Sequence, residues 1–103
     1  MPQPPDGGQH YVVEASGVIV QSLKRMQRQA AREGRGEDVL SAFRGIAQRL
    51  QVDPLHCGEP LYRLPTLRLQ VRSIAVRPLV VDFGVSEDRR LVFLRAVTLL
   101  SAG

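Results

Sequence analysis

Between Leu61 and Val97, arginine recurs through a run otherwise dominated by Val and Leu: Arg63, Arg68, Arg72, Arg77, Arg89, Arg90 and Arg95. A guanidinium is a planar fork of donors that grips phosphate or carboxylate at two points and stacks on flat rings. A series of them could neutralise phosphate, position RNA or stabilise a pentavalent phosphoryl transition state. The same series also suits the outer face of a sheet kept soluble by charge. Spacing alone leaves both readings open.

Other chemistry is sparse. The sequence has no Gly-rich phosphate loop, no HExxH and no GxSxG. Cys57 is the single cysteine, so no internal disulfide forms and the fold must stand on packing. It follows His56 in a loop, and the only other histidine is His10. A zinc site needs about four ligands, so the pair reads as a loop histidine and a partly buried thiol. No metal and no cofactor is expected. The acidic residues fall in turns and at helix starts, except Asp82 on a predicted strand. An outward carboxylate there meets solvent or an arginine.

Fourteen basic residues against ten acidic ones give a net charge of +4, and all but Lys24 of the basic residues are arginine. A small basic domain suits nucleic acid or an acidic protein segment. With 103 residues, 44% of them apolar, the chain can bury a core and forms one domain. No apolar run approaches the roughly 20 residues of a membrane span, so no membrane partner is expected. The opening "MPQPPDGGQ" has neither a basic nor an apolar region of the secretory kind. A cytoplasmic location is therefore the default, with residues 1–9 a flexible tail and residues 10–103 a single domain.

The elements follow from periodicity. "HYVVEAS" predicts a short buried strand. Ser16 caps a helix whose apolar positions are Ile19, Leu23, Met26 and Ala30. Its other face, Lys24, Arg25, Arg28 and Arg32, reads as a solvated polar surface. Val39, Leu40, Phe43, Ile46, Ala47 and Leu50 give a second helix over about Glu37 to Gln51, ended by Asp53 and Pro54. The two form a helical hairpin. "DPLHCGEPLYRLP" reads as a turn-rich connector. Leu67, Leu69 and Val71 then alternate with Arg68, Gln70 and Arg72, a half-buried strand with a cationic face. A turn at Val76 to Pro78 leads into Leu79–Val85, "SEDRR" is a hairpin turn, and "LVFLRAVTLL" is apolar on both faces.

The expected fold is α+β, in the order β-α-α-β-β-β. A small antiparallel sheet carries the helical hairpin on one face. Leu23, Met26, Phe43, Ile46, Leu50, Val81, Phe83 and Phe93 should form its core.

This order, with "LRLQVRSIAVRPLVVDFGVSEDRRLVFLRAV" and the connector "DPLHCGEPLYRL", resembles the RelE/ParE superfamily of bacterial type II toxins. The resemblance covers roughly Tyr11 to Leu100. It implies a toxin neutralised by a cognate antitoxin-like protein. Its targets would be messenger RNA at the ribosome, cut by a metal-independent endoribonuclease, or gyrase. It carries catalytic roles to Arg72, Arg77 and Arg95, while the arginine series itself offers RNA contacts at Arg63, Arg68, Arg72 and Arg77. Thr98 and Leu99 stand where the family has a basic pair, and no late His or Tyr supplies a proton. The fold could instead serve as a non-catalytic interaction module or homodimer.

Overall fold

The computed structural model describes residues 10–101; the expected N-terminal tail, residues 1–9, lies outside them. Two helices and five strands follow one another as β1 (Val12–Glu14), α1 (Gly17–Arg32), α2 (Gly36–Val52), β2 (Glu59–Leu64), β3 (Leu69–Val76), β4 (Leu79–Ser86) and β5 (Leu91–Leu99). The strands make one sheet in the order β1-β5-β4-β3-β2. The α+β class and the helical hairpin agree with expectation. The sheet is mixed, because β1 pairs with β5 in parallel, and it has one strand more than the sequence suggested.

Each helix forms for local reasons. The Ser16 hydroxyl accepts from the Ile19 amide at 3.3 Å and caps α1. Glu37 and Asp38 lie in the first turn of α2, where carboxylates favour the helix dipole. The helices turn on Gly34, whose φ of +76° suits a residue without Cβ. Both press on one face of the sheet. Ile19 and Ala30 of α1, with Val39, Ala42, Ile46 and Leu50 of α2, share a core with Ile74, Leu79, Val81, Phe83, Val85, Val92, Leu94 and Val97. Leu23, Met26 and Phe43 pack against it half-buried.

Three readings change. First, Phe93 is 38% exposed and faces away from the helices. The pairing of β4 with β5 shifts between Asp82, opposite Ala96, and Phe83, opposite Leu94. Arg95 is the extra residue of that bulge. Leu94 and Val97 can then both face the core although three positions apart, which explains a stretch that looks apolar on both sides.

Second, the connector contains β2, an edge strand exposed along its whole length. Pro60 and a register shift before Tyr62 break the alternation that would have marked it. Gly58 fixes where β2 joins the sheet. At φ +64°, a Cβ there would stand 2.0 Å from the Ser73 carbonyl oxygen.

Third, β1 is a three-residue edge strand on which only Val13 packs against the core.

Candidate nucleic-acid interface

The arginines predicted to share a face are dispersed. Arg68 precedes β3 in a left-handed turn, φ 49°, so it does not alternate with the strand. It pairs with Asp88 at 3.3 Å. Arg63 on β2 grips both carboxylate oxygens of Glu87 at 2.7 Å, and Gln70 donates to the same carboxylate at 3.0 Å. These donors hold the Glu87 carboxyl down at about 2, Arg63 contributing most. The acidic half of the β4–β5 turn thus occupies two of the expected RNA contacts.

Arg72 points to the helix side of the sheet and is only 8% exposed. Its cross-strand partner is Phe83. Its guanidinium donates to the backbone carbonyls of Cys57 at 2.9 Å and Gly58 at 3.4 Å, fastening the connector to the sheet. Arg72, Ile74 and Val76 share one face throughout β3, the face toward the helices. Arg77 is exposed in the two-residue turn between β3 and β4. That turn adjoins the pairing of Leu79 with Leu99, four residues beyond Arg95 and so roughly 13 Å along the strand. No patch of Arg68, Arg72 and Arg77 exists.

Arg95 remains. The bulge leaves its side chain exposed on the sheet face that no helix covers. There it donates a hydrogen bond to the Tyr62 hydroxyl of β2 and lies 6.0 Å from the centre of that ring. The register explains the reach. Tyr62 pairs with Val71, Val71 with Gly84, and Gly84 with Phe93. Val71 is 1% exposed although it lies outside the helix-side core, and the Leu69 side chain lies over Gly84, 3.5 Å from where a Cβ would stand. The Tyr62–Arg95 bridge spans from β2 to β5 on this face, with Phe93 beside it and Asp82 on the same face, opposite Ala96.

Tyr62 is the residue that sequence reasoning missed. Its signal was a tyrosine two residues after a proline in a presumed loop. Only the pairing of β2 brings it opposite the last strand. The resulting face combines a guanidinium with two aromatic rings, Tyr62 48% and Phe93 38% exposed. Open sheets of this make-up stack bases and hold phosphate.

Two of the surface grooves bear on function. One, of about 640 Å³, opens where β2 leaves the edge of β3 and is lined by Arg49, His56, Cys57, Glu59 and Ser73 among others. His56 bonds Asp53 at 2.8 Å, and the Cys57 thiol is pushed up chiefly by burial, which makes it a poor nucleophile. The other, about 390 Å³ and almost wholly apolar, lies between the helices along Val20, Leu23, Val39, Leu40 and Phe43. Among the described residues, no three His, Cys, Asp or Glu side chains converge as metal ligands would. None of the described helices is long and apolar enough to cross a membrane.

No family model, no curated protein and no solved structure matches the chain.

Proposed function

We propose that the protein is a diverged RelE/ParE-like toxin-superfamily member that binds RNA in the cytoplasm on the helix-free face of its sheet. The observation that carries this reading is the Arg95–Tyr62 bridge over Val71 and Gly84. Arg95 meets phosphate, and Tyr62 and Phe93 offer rings to unstacked bases. The +4 net charge favours approach to a polyanion.

Cleavage is the stronger form of the reading. Attack of an RNA 2′-hydroxyl on its neighbouring phosphorus breaks the bond to the 5′-oxygen. One group must take the hydroxyl proton and another must give one to the departing oxygen. The Tyr62 hydroxyl is a proton-bearing group beside a guanidinium, in place of the late His or Tyr absent from β5. Arg95 would face the charge on the pentavalent phosphorus.

Induced expression in a bacterial host tests the proposal. The wild type is expected to arrest growth and to be recovered crosslinked to RNA, with both effects lost in Arg95→Gln. Equal arrest by Arg95→Gln would contradict it. Inhibited supercoiling without bound RNA would favour gyrase as target.

A second reading, a protein-interaction module, is favoured by the apolar groove between the helices. An antitoxin-like amphipathic helix fits such a groove. Relief of the arrest by a co-expressed partner, lost on Leu23→Glu, would join the two readings.

A further inference from the structure

The chain's cations are not spread evenly, and their largest concentration without an ion pair is not on the sheet. On α1, Lys24, Arg28 and Arg32 follow one another at four-residue steps, and Arg25 lies beside them. At 3.6 residues per turn these four fall within about 100° of arc and run about 12 Å along the axis. The apolar stripe of Ile19, Leu23, Met26 and Ala30 lies on the opposite side of the helix, against the core. The ridge therefore points away from the sheet. None of the four makes an ion pair among the described residues, unlike Arg63 and Arg68. The helix contains no acidic residue, and Glu33 just beyond it is held by Arg35.

This clustering does not help the fold. Lys24–Arg28 and Arg28–Arg32 are like-charge pairs one turn apart, and each mildly destabilises the helix. Arg32 alone benefits from the helix dipole. The chemistry of the ridge also restricts what it can meet. Between Lys24 and Arg32 the exposed side chains are Lys24, Arg25, Arg28, Gln29, Ala31 and Arg32. None is a large apolar group, and the exposed valines of α1, Val18 and Val20, precede the ridge and are small beside the Trp, Phe or Leu of an interfacial helix. Three of the four cations are arginines, suited to bidentate contact with phosphate.

We infer that the α1 ridge is a second nucleic-acid contact, a docking surface for the phosphate backbone of a duplex RNA segment. It lies on the side of the molecule away from the Tyr62–Arg95 face. It does not depend on that face: one surface tracks paired phosphates and the other accepts unstacked bases.

The test is equilibrium binding of the full chain to a blunt RNA duplex of about 16 base pairs, measured across a salt series. The wild type should show a log–log salt slope of about −3.6, about 0.9 for each of the four cations, and the Lys24→Gln/Arg28→Gln variant should lose about 1.8 of that slope. Its affinity should fall about tenfold or more at low salt, and its melting temperature should hold or rise as like charges are removed. The single variant Arg25→Gln should show a smaller loss in the same direction. A short single-stranded RNA should lose affinity with Arg95→Gln but keep it with Lys24→Gln/Arg28→Gln, so failure of the sheet-face reading is separable. An unchanged slope in the double variant overturns the inference. So does preferential binding of poly-glutamate, or of vesicles of anionic lipid, over the duplex.

Discussion

Tyr62 of β2 and Arg95 of β5 meet across two intervening strands, the hydroxyl accepting from the guanidinium on the face that no helix covers. The contact needs three separate features. Pairing of β2 brings the tyrosine to the sheet, the β5 bulge sets Arg95, and Gly84 leaves room for the Leu69 side chain on the same face. The bulge also phases Leu94 and Val97 toward the helix-side core, but the Tyr62 and Arg95 side chains take no part in that core. That separation is why the bridge is read as functional.

The two faces make a direct stability prediction. Phe83 is fully buried in the helix-side core and Phe93 is partly exposed on the other face. Phe83→Ala should destabilise by about 3–5 kcal/mol, whereas Phe93→Ala should cost about 1–2 kcal/mol. Chemical denaturation of both variants checks the contrast. Equal losses would mean that the bulge does not set the phase of β5 as described.

Arg72 has moved from expected catalyst to structural clamp. Arg72→Ala strands the Cys57 and Gly58 carbonyls and should cost about 1–3 kcal/mol. Arg72→Lys should recover only part of this, because an ammonium lacks the fork that spans two carbonyls. Neither change should alter the salt slope of RNA binding. A stable Arg72→Ala protein with a reduced slope would return Arg72 to the binding surface.

The Arg63–Glu87 clamp sets a pH dependence. The Glu87 carboxyl is depressed from an ordinary 4.5 to about 2 in the folded protein. A depressed carboxylate contributes stability that is present above its unfolded value and is lost as pH falls through the folded one. The melting-temperature gap between wild type and Glu87→Gln should therefore be constant above about pH 5 and close between about pH 4.5 and 2. Added salt should narrow it, since Arg63 is exposed. A gap that persists unchanged to pH 2 would show that the carboxylate is not titrating through this clamp.

Much of the fold was legible because periodicity is a local signal. Ile19, Leu23, Met26 and Ala30 marked α1, Ser16 its cap, and Leu79, Val81, Phe83 and Val85 the inward face of β4. The misplaced parts involve breaks in period. β2 carries Pro60 and a bulge, so nothing in "GEPLYRLP" alternates, and Phe93 was assigned inward because the β5 bulge cannot be seen without its partner strand. Arg68 looked in phase with Arg72 only because the left-handed turn before β3 is invisible in residue spacing. The candidate site was harder still. Tyr62 and Arg95 are 33 residues apart, and their meeting is a property of strand order. The ion pairs that occupy Arg63 and Arg68 likewise depend on where the β4–β5 turn folds.

The most direct test of the central claim is the affinity of the full chain for a short single-stranded RNA, compared among wild type, Tyr62→Ala, Arg95→Gln and Arg63→Gln. Loss of one base–ring stack at Tyr62 should weaken binding by about 1–3 kcal/mol, roughly 5- to 150-fold. Arg95→Gln should weaken it and reduce the log–log salt slope by about 0.7, one phosphate contact on a single strand. Arg63→Gln, whose guanidinium already serves Glu87, should change affinity less than about twofold. If Tyr62→Ala and Arg95→Gln bind as the wild type does, with the same salt slope, the helix-free face is not an RNA surface and the account fails.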